Sequence, residues 1–372
     1  MSPAVGIAPI PPRPPGRAIE LTADVAATNP KLVDLEKAPP APGDNPVVLV
    51  VLDGARWQEI FRGADTAMGE ARGVDVSKLA GASRLMPNLQ QLIEARGLAI
   101  GAPDHGEPMT ASGVFVSLPG YLEIFTGART KCVDNDCPPI KQPTIVDEAR
   151  DVAPSAEDVA VVASWPNIEN AAARDLSRIT MSTGSRHNRN ADAFRLDRNA
   201  SALFWAGELS TPWPGEGDYR PDALTAQIAL KYLAKHRPQF LFVGLGDMDE
   251  YAHKNDYRGY VGAMQQADKI IGDLVKTLDS MGERGRRTTI LITADHGRAD
   301  NFRDHGPDSP ESGRVFLIAA GGDVPAMGLV NATKKHHLAD IAPTLRVILG
   351  LPPRPLGGDP IAEIVGDAQS SL

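Results

Sequence analysis

Three apolar runs in this chain each end in acids or histidines. Val47 to Leu52 reads VVLVVL and leads into Asp53 and Gly54. FLFVGLGDMD, from Phe240, ends in Asp247 and Asp249, and TTILITADHG, from Thr288, ends in Asp295 and His296. Unbroken apolar runs rich in β-branched residues predict strands buried on both faces of a parallel sheet. Ligands of such sheets gather outside the carboxyl ends of the strands. The polar residues that follow these runs are therefore the first candidates for chemistry.

The intervening stretches alternate in period. DVAVVASW, from Asp158, and RVFLIAAGG, from Arg314, read as further strands, and GLAIGAPDHG as a strand and turn. PNLQQLIEARG predicts a helix, with Pro87 at the favoured first position and Gly97 after the end. PTIVDEARDVA, PDALTAQIALKYLAKHRP and DIAPTLRVILGL also read as helices. YRGYVGAMQQADKIIGDLVKTLDSM, from Tyr257, has the apolar spacing of a long amphipathic helix. SGVFVSLPGYLEIFTGA begins extended and turns helical near Pro119. The alternation predicts an α/β fold: one doubly wound, mostly parallel sheet with helices on both faces. Residues 1–44, rich in Pro and Ala, are expected to form an extended tail, and residues 45–365 a single domain. The polar, irregular stretch 167–221 is expected to be an insertion that shapes a pocket.

Composition narrows the function. The chain has 372 residues and a formal charge of -9, with no basic run, which argues against a nucleic-acid-binding surface. No apolar run approaches the roughly 18 residues of a membrane span. The first residues lack the charged start and apolar core of a signal peptide. Cys132 and Cys137 are the only cysteines; their spacing suits a loop disulfide or two free thiols equally.

Asp295 and His296 offer the carboxylate and imidazole that zinc accepts, although the same pair would serve in a strand-ending turn. Asp249 and His253 form D-x-x-x-H, which one helical turn brings to a common face. Asp247 is the rival acid. His305, in RDHGPD, lies in a Gly/Pro-containing loop and competes with His336 and His337 as a further ligand. His105, His187 and His236 have no acid at useful spacing and read as structural or surface residues. Oxygen and nitrogen donors without thiolate suit a pair of borderline divalent cations. Two cations about 4 Å apart activate an attacking oxygen and stabilise a leaving one, which suits phosphate esters. Ser117, at a strand-to-helix junction, is the candidate nucleophile, near a helix end that favours anions. The same position also suits a helix N-cap.

The ordered set VVLDGAR, SLPGYLEIFTG, GDMDEYAH, TADHG and RDHG resembles the alkaline phosphatase superfamily, most closely its type I phosphodiesterase/nucleotide pyrophosphatase branch, over roughly residues 46 to 350. The resemblance implies an alkaline-phosphatase-like fold and a metal-dependent hydrolase of small phosphate esters, monoester or diester. It implies two divalent cations, zinc preferred over manganese. Asp53, Ser117, Asp295 and His296 would hold one, and Asp249, His253 and His305 the other. Ser117 would attack phosphorus, giving a phosphoseryl intermediate that water hydrolyses. Asn135 resembles an asparagine that binds a phosphoryl oxygen. A periplasmic or secreted location is also implied by the resemblance.

The sequence departs from that pattern in two places. Many phosphodiesterases of this branch carry threonine where Ser117 stands, and the gap from His296 to His305 is short. Sulfatases of the superfamily are a rival, since SLPGYLEIFTG follows the frame of their C/S-x-P-x-R nucleophile motif. However, Tyr121 stands where that motif needs arginine. Metal-dependent mutases share several ligands, but no added domain of theirs is evident. A non-catalytic binding protein on the same fold is the alternative from another class.

Overall fold

The apolar run that opens the pattern is the central strand of the molecule. In the computed structural model, which describes residues 45–111, 113–184, 187–189, 214–352 and 354–366, β1 (Val47–Leu52) is wholly buried. It pairs in parallel with β7 (Phe240–Leu245) on one side and β8 (Thr289–Thr293) on the other. Both edges of its backbone are thus satisfied without water. Each Val or Leu buried this way contributes about 1.5–3 kcal/mol before chain entropy is counted.

The remaining strands extend this trio. They are β2 (Gly97–Ile100), β4 (Val159–Ala163), β5 (Thr180–Thr183), β6 (His187–Arg189), β10 (Leu317–Ala320) and β11 (Gly328–Leu329). The described residues form a nine-stranded sheet in the order β11-β2-β10-β8-β1-β7-β4-β5-β6. Only β10 and β6 run against the rest. A small second sheet joins β12 (His336–His337), β3 (Met109–Thr110) and β9 (Arg314–Val315).

Alternation along the strands sorts the helices to two faces. On one face Val50, Leu241 and Val243 line an apolar cavity together with Ala226 and Ile270, from helices Asp222–His236 and Tyr257–Ser280. On the other, Phe242 packs at 4.8 Å between ring centroids against Phe125 of helix Ser117–Thr126. The expected doubly wound, mostly parallel architecture is therefore the observed one.

Two expectations need correction. RVFLIAAGG is not one strand: Val315 pairs with Met109 in the small sheet, whereas Leu317 to Ala320 enter the main sheet antiparallel to β8. Buried Phe316 separates them, its carbonyl accepting Thr293 Oγ1 at 2.6 Å. The stretch 167–221 is not irregular throughout, because it contains β5. That strand reads TMST and has no apolar signature, yet it is buried. Its hydroxyls are satisfied by tertiary partners: Arg220 Nη1 donates to Ser182 Oγ at 2.9 Å, and Thr183 Oγ1 donates to Glu169 Oε1 at 2.8 Å. The rest of the proposed insertion, and the tail at 1–44, lie largely outside the described residues.

Candidate metal centre

The three central strands bring their polar ends together. Asp53 follows β1, and its N–H extends the pairing to Leu245 O at 2.8 Å, so its carboxylate stands at the sheet edge. Asp295 and His296 follow β8. His296 Nε2 lies 3.5 Å from Asp53 Oδ1 and 3.4 Å from Asp295 Oδ2. Gly54 turns the chain away from β1 with φ +63°, and its N–H donates to Asp295 Oδ1 at 3.1 Å. A Cβ at Gly54 would lie 2.3 Å from Asp249 Oδ1, so the turn needs glycine for space as well as for conformation. Beyond β7, helix Asp247–His253 places Asp249 and His253 one turn apart, with Oδ2 and Nε2 at 2.9 Å.

Ser117 is brought in by a different element. Val116 is extended and Ser117 is the first residue of the helix, which ends at Gly127 in the left-handed conformation. The N-cap reading of Ser117 is therefore not what is observed. Its hydroxyl donates to Asp53 Oδ1 at 3.4 Å and lies 3.2 Å from His296 Nε2. The orphan N–H of Leu118 is instead taken by Asn135 Oδ1 at 2.9 Å. Because Pro119 has no N–H, this helix end has few free donors for an anion. Asn135 sits in a loop closed by a Cys132–Cys137 disulfide, and its carbonyl accepts Asn167 Nδ2 at 3.0 Å.

His305 reaches the cluster despite its short link to Asp295. The loop folds over buried Phe302, which meets the rings of Tyr257 and Tyr260 edge-on at 5.2 and 5.0 Å. His305 then stacks on His296 at 3.9 Å, accepts or donates at His253 Nε2 at 3.2 Å, and is fixed through Nδ1 to Phe115 O at 2.8 Å.

Two residues of the cluster were not expected as part of the site. Tyr121 OH donates to Asp53 Oδ2 at 3.0 Å. Arg298, fully buried, donates through Nη1 to Asp249 Oδ1. The spacing of four from Ser117 along a helix places Tyr121 on the same face. Arg298 has no comparable signal beyond following TADHG. The rival residues lie elsewhere. Asp247 accepts the Asp222 N–H, His336 pairs with Asp340 and Glu363, and His337 Nδ1 meets Thr110 Oγ1. His105 Nδ1 meets Pro103 O, and the His187 side chain lies outside the described residues. His236, expected to lack an acid, pairs with Glu157 at 3.0 Å across the fold.

The electrostatics bear on what this cluster could hold. Burial, then the charges of Asp295 and Asp249, push the Asp53 carboxyl well above its usual range. Burial and Asp249 raise Asp295 to about 8. Burial opposes charge on Asp249 too, but Arg298 and the His253 hydrogen bond hold its carboxyl well below the usual range. Burial, then His305, keeps His296 neutral. Asp295 Oδ2 is buried with no hydrogen-bond partner among the described residues. Crowded carboxylates, the His296 and His305 imidazoles, whose charge burial opposes, and one orphaned acceptor fit divalent cations. Ligand atoms of Asp53, Asp295 and His296 lie within 4.8 Å of one another, and so do those of Asp249, His296 and His305.

Comparison with known proteins points the same way. Residues 217–353 match the family model described as the Metalloenzyme superfamily. That segment is less than half of the chain; the fold is alkaline-phosphatase-like, as the sequence motifs implied, and no branch of the superfamily is specified. Among solved structures, it is similar to the phosphonate monoester hydrolase of Agrobacterium radiobacter, with a TM-score of 0.59 and 16% identity over 87% of this chain and 77% of that one. It is also similar to wild-type alkaline phosphatase PafA, with a TM-score of 0.57 and 13% identity over 88% of this chain and 100% of that one. A curated relative, 2,3-bisphosphoglycerate-independent phosphoglycerate mutase 1 of Methanosarcina acetivorans, is 33% identical over 36% of this chain. The chain covers only 26% of that relative's length, and 32% of a second mutase, from a Synechococcus species.

Proposed function

We propose that this protein hydrolyses small phosphate esters, monoester or diester, using Ser117 as nucleophile. The observation that carries the reading is the position of Ser117 Oγ, 3.4 Å from Asp53 Oδ1 and 3.2 Å from His296 Nε2 at the mouth of an Asp/His cluster. Asp53, Ser117, Asp295 and His296 would hold one divalent cation, and Asp249, His253 and His305 another, with zinc preferred. Such ions lower the pKa of a coordinated hydroxyl and stabilise a departing oxygen. Ser117 is preset for attack because its first-turn position fixes the backbone and Asp53 orients the hydroxyl. Attack would form the Oγ–P bond as the ester P–O bond breaks; the Ser117 proton passes to water and the leaving oxygen takes a proton from water. Hydrolysis of the phosphoserine then restores Ser117. Asn135, anchored through Oδ1, has its NH2 end available to donate to a phosphoryl oxygen.

Relatives and structural neighbours are named as phosphatase, phosphonate hydrolase, sulfatase and mutase. Tyr121 favours phosphate over sulfate, since it stands where the sulfatase frame needs arginine and its phenol turns inward to Asp53. The deciding experiment is a panel of nitrophenyl phosphate, a phosphodiester, a phosphonate and a sulfate ester, with release of inorganic phosphate separating hydrolysis from transfer. Chelation should abolish turnover. Ser117→Ala should lower kcat by about three orders of magnitude or more with circular dichroism unchanged. Retained phosphate-ester turnover in both tests would reject the reading.

A further inference from the structure

Among the described residues of the cluster, Arg298 is the one arginine or lysine. It is fully buried, and each nitrogen of its guanidinium has a partner. Nη1 donates to Asp249 Oδ1, Nε to Phe302 O at 2.5 Å, and Nη2 to Arg303 O. The other oxygen of Asp249 is taken by His253 Nε2 at 2.9 Å. Buried, and bonded through each nitrogen to a carbonyl or a carboxylate, Arg298 is held away from a substrate. Its role is toward Asp249.

The two halves of the cluster therefore differ in charge. Asp53 and Asp295 put two carboxylates beside His296, and among the described residues no guanidinium or ammonium is bonded to either. The other half has Asp249 alone, already neutralised by Arg298. A cation entering there must share Asp249 with the guanidinium or displace it. Like charges at close range in a buried site repel strongly.

We propose that Arg298 is a resident counter-charge for the second cation position. It holds Asp249 in its ligating orientation without an ion and keeps divalent-cation affinity there at least ten-fold below that of the Asp53/Asp295/His296 position. The inference rests on the two-cation reading given above and adds an order of loading to it. Cations fill the first position tightly, and the second exchanges with solution.

The test uses the full chain stripped by chelation and titrated with Mn2+, followed by calorimetry and electron paramagnetic resonance. The wild type should show two classes of site, the second at least ten-fold weaker. One equivalent should give an isolated-ion signal rather than a mixture of spin-coupled pairs and empty protein. Arg298→Met, similar in reach and uncharged, should tighten the second class at least ten-fold and leave the first unchanged. Arg298→Lys should preserve the split. Equal affinities in the wild type, coupled pairs at one equivalent, or an unchanged second class in Arg298→Met would overturn the inference while sparing the two-cation reading. The wild-type arms stand even if loss of the loop anchors unfolds the methionine variant. A wild type that binds no Mn2+ or Zn2+ would instead remove the two-cation reading, and this inference with it.

Discussion

At the scale of single residues, Asp53 shows how the cluster is oriented. Its two oxygens are divided between hydroxyl groups on one helix: Ser117 at Oδ1 and Tyr121 at Oδ2. The phenol is fully buried, and its ring packs on Phe242 and Trp165, so it cannot swing away. Outer hydrogen bonds of this kind fix a ligand's direction and basicity. Tyr121→Phe keeps the ring packing and removes only that bond. It should leave the fold intact and weaken cation binding about 10–100-fold. Competition with a chromogenic chelator measures this directly; an unchanged dissociation constant would show that Asp53 needs no such support.

At the scale of elements, the critical joint is the contact of helix Ser117–Thr126 with the end of β8. A Cβ built on Gly120 would lie 2.4 Å from the Asp295 carbonyl oxygen and 3.0 Å from Asp295 Cβ. The helix reaches the strand end only because Gly120 has no side chain. Gly120→Ala should force the two apart, lowering stability by about 1–3 kcal/mol. It should also weaken cation binding, since Ser117 and Asp295 sit on opposite sides of that joint. Urea unfolding and metal titration of the same preparation separate the two effects. A variant with wild-type stability and affinity would refute the joint. The elements that carry the candidate site were legible where burial alone explains them. The runs ending at Asp53, Asp249 and Asp295–His296 are apolar because both faces of their strands are covered, and period reveals that. The strand TMST was not legible, because Arg220 and Glu169 make it buriable from distant positions. Nor was the loop that carries Arg298 and His305. Its shape depends on Phe302 lodging against Tyr257 and Tyr260, a tertiary contact with no local pattern. Ser117 was legible as a junction residue, but its rank as first helical residue rather than cap depended on Asn135 taking the Leu118 N–H.

At the scale of the whole molecule, the C-terminal segment is tied to the body by polar contacts, and these make global stability depend on pH. Asp340 accepts the N–H groups of His337 and Asp359, each at 2.9 Å, and Ile361 N–H reaches Thr344 Oγ1 at 2.9 Å. Between these strands of contact sits His336, nearly buried, 3.5 Å from Asp340 and 3.2 Å from Glu363. Burial works against its charge, but hydrogen bonds to the two carboxylates prevail and raise its pKa to about 9. An unfolded histidine titrates near about 6.5. Below that value both states carry the proton and the pairing stabilises the fold in full. Between the two values only the folded state keeps it, so stability falls as pH rises, and the contribution is gone once pH passes about 9. His336→Asn should therefore cost about 1–3 kcal/mol at pH 6 and close to nothing by about pH 10. The site acids also titrate when cations are absent, so both proteins are best compared at one fixed, saturating cation concentration. The difference between their melting temperatures then isolates His336. Melting curves that stay the same distance apart from pH 6 to 10 would mean that the histidine holds the segment by packing alone, and its charge would have no part in the stability of the chain.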